Sequence, residues 1–213
     1  DVLINGLSNS MYLAAITVLI GMPLSVVTGY ALARYKIKFK NLIISFILMT
    51  IVIPVFTTII PIYSFFMEHS MLDSMLWTSV IFISAFIPLN IWIIMNYFRE
   101  LPEDLWEAAA IEGANERQLF FQIGLPLAKP IVLTSSLVIF LMSWKQYIIP
   151  MLLLSSHNNK VLTLIMSEFM TRDAINYSVI AMSGIIVIIP PLLASIIFRK
   201  NLVSGLTAGS VKE

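Results

Sequence analysis

The sequence contains no cysteine and little charge. Without thiols there are no disulfides, thiolate zinc sites, iron–sulfur clusters or cysteine nucleophiles. Only 12% of the 213 residues are charged, about half the usual share of a soluble domain, and 59% are hydrophobic. That excess of apolar residues excludes both a disordered chain and a freely soluble globule. A net charge of +1 provides no broad basic field, so nucleic acid is not an expected partner. The only two histidines, His69 and His157, are far apart, and neither a catalytic nor a metal-binding group is read from the chain.

What is present is a set of long apolar runs. A membrane-crossing helix needs about 20 such residues, since ~30 Å of hydrocarbon is crossed at ~1.5 Å per residue. Five stretches meet this, at 11–32, 42–65, 75–97, 131–154 and 177–198. They are apolar on both parities, which argues for helices over barrel strands. Of all five, only the fourth holds a charged residue, Lys145. The expected fold is therefore an all-α integral membrane domain spanning 1–213, embedded in lipid.

Orientation follows from the cations. Arg34, Lys36, Lys38, Lys40, Arg99, Arg117, Lys129, Arg199, Lys200 and Lys212 fall in one set of loops, and only Lys160 and Arg172 in the other. The richer side, with the C-terminus, is read as cytoplasmic. Asp1 then lies outside, which leads us to expect a further span before it. Seven prolines (Pro23, Pro54, Pro61, Pro88, Pro150, Pro190, Pro191) sit in or at the edge of spans, each freeing a carbonyl that must find another partner. Thr17, Gly21, Ser25, Gly29 and Ala33 recur every four residues, a small-residue stripe that admits a close neighbour helix.

The loop between the third and fourth spans carries the most information. Pro102 followed by Glu103 and Asp104 suits a helix start, and Gly113 suits the residue just past its end. Asn115 with Gln118 has the form of a capping box opening a second short helix, which Pro126 is expected to end. Ala108, Ala109 and Ala110 leave a face that another protein could approach closely, with Glu107 beside it to pair with a partner's cation.

Within this loop, Glu107-Ala108-Ala109, three residues, Gly113, nine residues, then Ile123-x-Leu125-Pro126 resembles the EAA loop of binding-protein-dependent ABC importer permeases. Asn9-Ser10, Tyr30-Ala-Leu-Ala-Arg34 and the ending from Leu202 to Glu213 are similar to the maltose/oligosaccharide branch. The resemblance implies a type I importer permease of six spans in a bacterial cytoplasmic membrane. It would work with a second permease subunit, two ATP-binding cassette subunits that carry ATP and Mg, and an extracytoplasmic solute-binding protein. Glu107, Ala108, Ala109, Gly113, Ile123, Leu125 and Pro126 would form the ATPase-coupling site, and a tail containing Thr207 and Gly209 would reach between the ATPases. No G-x-x-x-x-G-K-[ST] run occurs in the chain, so no nucleotide cofactor is expected on it.

For the substrate path, Trp144, Lys145, Gln146 and Tyr147 are expected near the middle of the fourth span, with Trp144 and Tyr147 on one face, and Asn90 in the third. A lysine at that depth needs water or a partner, and aromatic faces beside polar groups suit sugar rings. Asn90, Trp92 and Asn96 are weaker candidates of the same kind. Two other readings stay open: a secondary transporter centred on Lys145, and an ABC permease for a non-sugar solute.

Overall fold

The computed structural model describes residues 2–171 and 177–207. The described residues form α1 (Val2–Arg34), α2 (Lys40–Val52), α3 (Val55–Glu68), α4 (Met75–Glu100), α5 (Glu103–Ile111), α6 (Glu116–Gln118), a π-helical stretch (Leu119–Gly124), α7 (Leu125–Trp144), α8 (Ile148–Leu153), α9 (Leu162–Thr171) and α10 (Tyr177–Thr207). Four helices are long and apolar enough to cross a membrane, Val2–Arg34, Met75–Glu100, Glu116–Trp144 and Ile180–Arg199; counting α2 and α3 as one bent span gives five.

The small-residue stripe of α1 faces α4, so the close neighbour lies within this chain. A Cβ added at Gly29 would sit 2.8 Å from Ile94 Cγ2, and one at Gly21 would sit 3.5 Å from Ile87 Cγ1. The two pairs are offset by nearly the same number of residues, so α1 and α4 run parallel at close range. Thr17 and Ser25 on the same stripe are buried and return their hydroxyls to the carbonyls of Leu13 and Gly21. α7 packs on α1 and α4, α10 on α7, and α9 on the start of α1.

Four expected spans differ in outline, the first because its helix already begins at Val2 rather than at 11. The run 42–65 breaks at Ile53–Pro54, where Ile53 is extended and α3 begins with Pro54 as its cap. Proline cannot donate to the ladder and biases the residue before it away from helix. The fourth span starts earlier than expected and ends earlier too. Pro126 does not end the second short helix, because the π-helical turn before it carries the chain straight into α7. A wider i→i+5 turn leaves room for the proline ring against the preceding carbonyls. At the far end α7 stops at Trp144 instead of running to 154. Continuing would put Pro150 against the Gln146 carbonyl, which instead accepts from Thr163 Oγ1 at 2.9 Å. The fifth span, expected at 177–198, belongs to a helix that runs on to Thr207.

The two ends of the bundle differ in chemistry. One gathers the ends of α1 and α4, α5 and the start of the Glu116–Trp144 helix, and carries Arg34, Arg99 and Arg117. The other gathers the starts of α1 and α4 with the segment between α8 and α9, and carries Lys160.

Candidate coupling surface and transport cavity

α5 is built as the sequence suggests at both its ends. Pro102 caps it with extended backbone, one place before the first helical position, and Glu103 and Asp104 fill the first turn. Gly113 takes φ +88°, the left-handed conformation that glycine adopts without steric cost. Its N–H donates to Ala110 O, and that of Ala114 donates to Ala109 O, each at 3.0 Å. Asn115 and Gln118 form the capping box: Gln118 N donates to Asn115 Oδ1 at 3.0 Å and Asn115 N to Gln118 Oε1 at 2.8 Å.

One residue that sequence reasoning passed over anchors this helix. Trp106 is 2% exposed and is the sole residue of α5 that is buried. Its ring meets Tyr30 at 5.9 Å between centroids and lies within a cluster that includes Phe98, Leu119 and Ala128. Arg34 covers it, with Cζ 4.5 Å from the ring centroid, and the same guanidinium donates to Glu103 Oε2 at 2.6 Å. A Cβ at Gly124 would approach Trp106 Cη2 to 3.2 Å, so the π-helical stretch is packed directly onto the anchor. A large aromatic placed on an acidic, alanine-rich surface helix was the available signal.

With Trp106 and Ala109 turned inward, the opposite face presents Asp104, Glu107, Ala108 and Ile111, spaced three and four apart on one side. Ile111 is 86% exposed. Glu107, Ala108 and Gly113 are exposed, Ala109 is half-buried, and Ile123 and Leu125 pack from the π-helical junction against the Trp106 cluster. The structure thus brings Glu107, Ala108 and Gly113 to one open surface, while Ile123 and Leu125 support it from behind. Pro126 is exposed at the junction.

The expected path residues separate. Lys145 is not inside a helix: it is the exposed residue capping α7, at the break before α8. Trp144 and Tyr147 do not share a helical face, since the break lies between them. Trp144 is 4% exposed, stacks on Phe140 and donates its indole N–H to Val187 O at 3.1 Å, so it packs α10 onto α7. Tyr147 Oη and Ser167 Oγ lie 3.1 Å apart. Asn90 is fully buried and donates to Phe86 O of its own helix at 2.9 Å. Gln146 alone among these five lines the cavity of about 410 Å³ at the α2–α3 break, with Thr50, Thr58 and Ser84 as further polar groups among isoleucines and leucines. Sequence reasoning missed the threonines and Ser84 because each is unremarkable within an apolar run until the break at Pro54 opens a hollow beside them. Of the tail residues, Thr207 closes α10 and Gly209 lies outside the described residues.

The profile of the family described as binding-protein-dependent transport system inner membrane component matches residues 21–207. The chain belongs to this family. The arabinooligosaccharides transport system permease protein AraQ of Halalkalibacterium halodurans is 28% identical over 96% of this chain and 72% of its own length. The melibiose/raffinose/stachyose import permease protein MelC of Bacillus subtilis is 26% identical over 98% and 76%. The trehalose/maltose transport system permease protein MalG of Thermococcus litoralis is 27% identical over 97% and 74%. Among solved structures, a chain of the inward-facing MetNI methionine ABC transporter superposes with a TM-score of 0.70 at 15% identity, covering 95% of this chain and 94% of that one. The shared architecture is the type I ABC importer permease fold, and the chain is a multi-pass membrane protein of that family.

Proposed function

We propose that this chain is a permease subunit of an ATP-driven carbohydrate importer in a bacterial cytoplasmic membrane. It would form half of the translocation path with a second permease subunit, above two ATPase subunits that bind ATP and Mg, and receive its sugar from an extracytoplasmic solute-binding protein. The end carrying Arg34, Arg99 and Arg117 is cytoplasmic in this reading, with the C-terminus, as cation asymmetry requires. The observation that carries the proposal is α5: a short helix pinned by one buried tryptophan, with Glu107, Ala108 and an 86% exposed Ile111 on its free face. An apolar side chain so exposed on an otherwise acidic helix fits burial in a cleft of another protein. The sugar class is supported by the names of AraQ, MelC and MalG.

The chain's own contributions follow from its geometry. Glu107 supplies a charge to a cation of the ATPase, Ala108 permits close approach, and Gly113 sets the turn by which α5 is joined to the transmembrane helix. The Trp106–Gly124 contact ties movement of α5 to the π-helical stretch, and hence to α7. Gln146, Thr50 and Ser84 offer hydrogen bonds to hydroxyl groups passing the cavity.

The test is reconstitution with the second permease and the ATPases, measuring ATP hydrolysis with and without sugar-loaded binding protein. Glu107→Lys is expected to abolish that stimulation while insertion is retained, and Gln146→Leu to slow uptake with ATPase attachment intact. Deleting residues 207–213 is expected to weaken ATPase retention. Uptake by this chain alone, driven by an ion gradient without ATP, would overturn the reading.

A further inference from the structure

A groove runs along the outward side of α1 where it meets the π-helical stretch. Val18, Met22, Val26, Phe120, Leu125 and Val132 line it, its wall is wholly apolar, and its volume is about 420 Å³. Val27, Phe120 and Phe121 also line a smaller hollow of about 210 Å³, to which Tyr30, Tyr35, Glu116 and Arg117 contribute. The two hollows are neighbours with three wall residues in common, one apolar throughout and the other with polar groups on its wall.

The dimensions of the groove match one leaflet. From Val18 to Val27 the helix rises ~14 Å, about half of a ~30 Å hydrocarbon core. The polar hollow lies beside the loop of Tyr35, Lys36 and Lys38, where lipid headgroups belong. There Tyr35 donates its hydroxyl to Glu116 Oε2 at 2.9 Å, holding the carboxylate on the wall of the same hollow that Arg117 lines. The pairing keeps the Tyr35 phenol above its ordinary pKa, with burial and the Glu116 charge acting in the same direction, so the hydroxyl stays a donor.

We propose that this site binds a phospholipid with a phosphoethanolamine headgroup, its acyl chain in the groove and its headgroup on Glu116 and Arg117. The charges decide the class. A guanidinium matches a phosphate through paired N–H donors, and a carboxylate beside it matches an ammonium. A headgroup with only negative charge would meet Glu116 unfavourably, and a choline group has no N–H to donate to it. The assignment of the site to the inner leaflet rests on the orientation proposed above.

The experiment uses the assembled transporter, depleted of lipid in detergent and then offered phosphatidylethanolamine, phosphatidylcholine and phosphatidylglycerol with identical acyl chains, with retained lipid read by native mass spectrometry. Phosphatidylethanolamine is expected to be retained about tenfold over each of the others, the ratio for one hydrogen bond to a charged group. Glu116→Gln should remove its advantage over phosphatidylcholine, and Arg117→Ala should weaken all three. Because these 213 residues lack cysteine, Phe121→Cys places one thiol among them for a photo-crosslinker, expected to attach lipid to this chain. Equal retention of the three lipids, a preference for phosphatidylglycerol, or cross-linking of Phe121→Cys to another polypeptide would overturn the proposal. Loss of the ATPase subunits with the lipid preference intact on this chain would count against the assembly and leave the lipid site standing.

Discussion

The two ends of the bundle both have apolar cores, but they fix their short connecting segments in different ways. At the end of α5, one indole ring carries the attachment: Trp106 is buried among Tyr30, Phe98 and Leu119, and the nearby ion pair to Glu103 is largely exposed. At the opposite end an apolar cluster of Leu13, Phe66, Phe82, Leu153, Leu154 and Val161 is supplemented by polar groups that tie the loops to one another. Asp73, at φ +58°, accepts from Ser155 N at 3.0 Å and Ser156 N at 2.9 Å through Oδ1, and its carbonyl accepts from Asn159 Nδ2 at 2.7 Å. Asn9 Nδ2 reaches the carbonyls of Asn158 and Lys160 at 2.7 and 2.9 Å, Ser10 Oγ accepts from Leu162 N at 2.9 Å, and Lys160 pairs with Glu168. Directional bonds fix the register of short loops, whereas packing around one ring fixes a position and leaves the rest of a helix free to meet a partner. The contrast fits the proposed function, in which the α5 end moves with the ATPase and the other end keeps its shape.

Removing the ring is the most severe way to break this comparison. Trp106→Ala should cost ~3–5 kcal/mol, the range for deleting a buried large aromatic, and leave α5 unseated. Thermal unfolding in detergent, together with co-purification of the ATPases, would check it. An unchanged melting temperature would mean that α5 is held by something other than its tryptophan.

Next comes the polar end. Asp73→Ala removes a charged acceptor of two backbone N–H groups and should cost roughly 1.5–3 kcal/mol, the range for hydrogen bonding to a charged group. Burial alone would raise the Asp73 pKa, but the bonds from Ser156, Ser155 and Asn159 outweigh it, and the net shift is downward. A depressed carboxylate stabilises the fold above its unfolded value, about 3.9, and this contribution is lost as pH falls through the lower folded value. Acid unfolding of the native protein should therefore show a component below about pH 3.9 that Asp73→Ala lacks. Identical acid profiles would remove Asp73 from the account.

Much of the α5 region is legible in the sequence because its signals are local. A proline cap, acids in the first turn, an Asn–Gln capping box and a glycine needing positive φ all act within a few residues, and each is where the pattern places it. The polar end and the cavity were not legible, because their contacts join residues far apart in the chain. Asp73 meets Ser155 only after the α8–α9 segment folds back. The break after Trp144 depends on Gln146 finding Thr163. Lys145 was expected within the helix because Pro150 frees a carbonyl without saying whether the helix kinks or stops, and it is Thr163, distant in the chain, that takes the Gln146 carbonyl. The small-residue stripe announced close packing, yet only the fold assigns it to α4.

Gly113 tests the local signals. Valine there must hold φ near +88°, at a cost of ~1–2 kcal/mol for a side chain in the left-handed region. No heavy atom lies within 4 Å of the added Cβ, so the penalty is one of backbone conformation alone. Gly113→Ala and Gly113→Asn sort the cause: asparagine tolerates this region better, so it should recover part of the loss in stability and in stimulated ATP hydrolysis. Equal losses for alanine and asparagine would point to the exposed surface of the turn instead.

The smallest effect sharpens the comparison most. The Arg34–Glu103 pair measures 2.6 Å, but the Glu103 side chain is 73% exposed, and ion pairs so open to water are worth ~0–1 kcal/mol. Glu103→Gln keeps a hydrogen-bond acceptor and the helix, removing only the charge. Arg34 should stay over the Trp106 ring, since its attraction to the aromatic face does not need the acid. The expected outcome is a loss under ~1 kcal/mol that shrinks further as salt is raised. A double-mutant cycle with Arg34→Met separates the pair from the ring contact: the coupling between positions 34 and 103 should be smaller than that between 34 and 106. If the order were reversed, this end too would be held by a directional polar bond, and the difference between the two ends would lie in their exposure rather than in the kind of force that closes them.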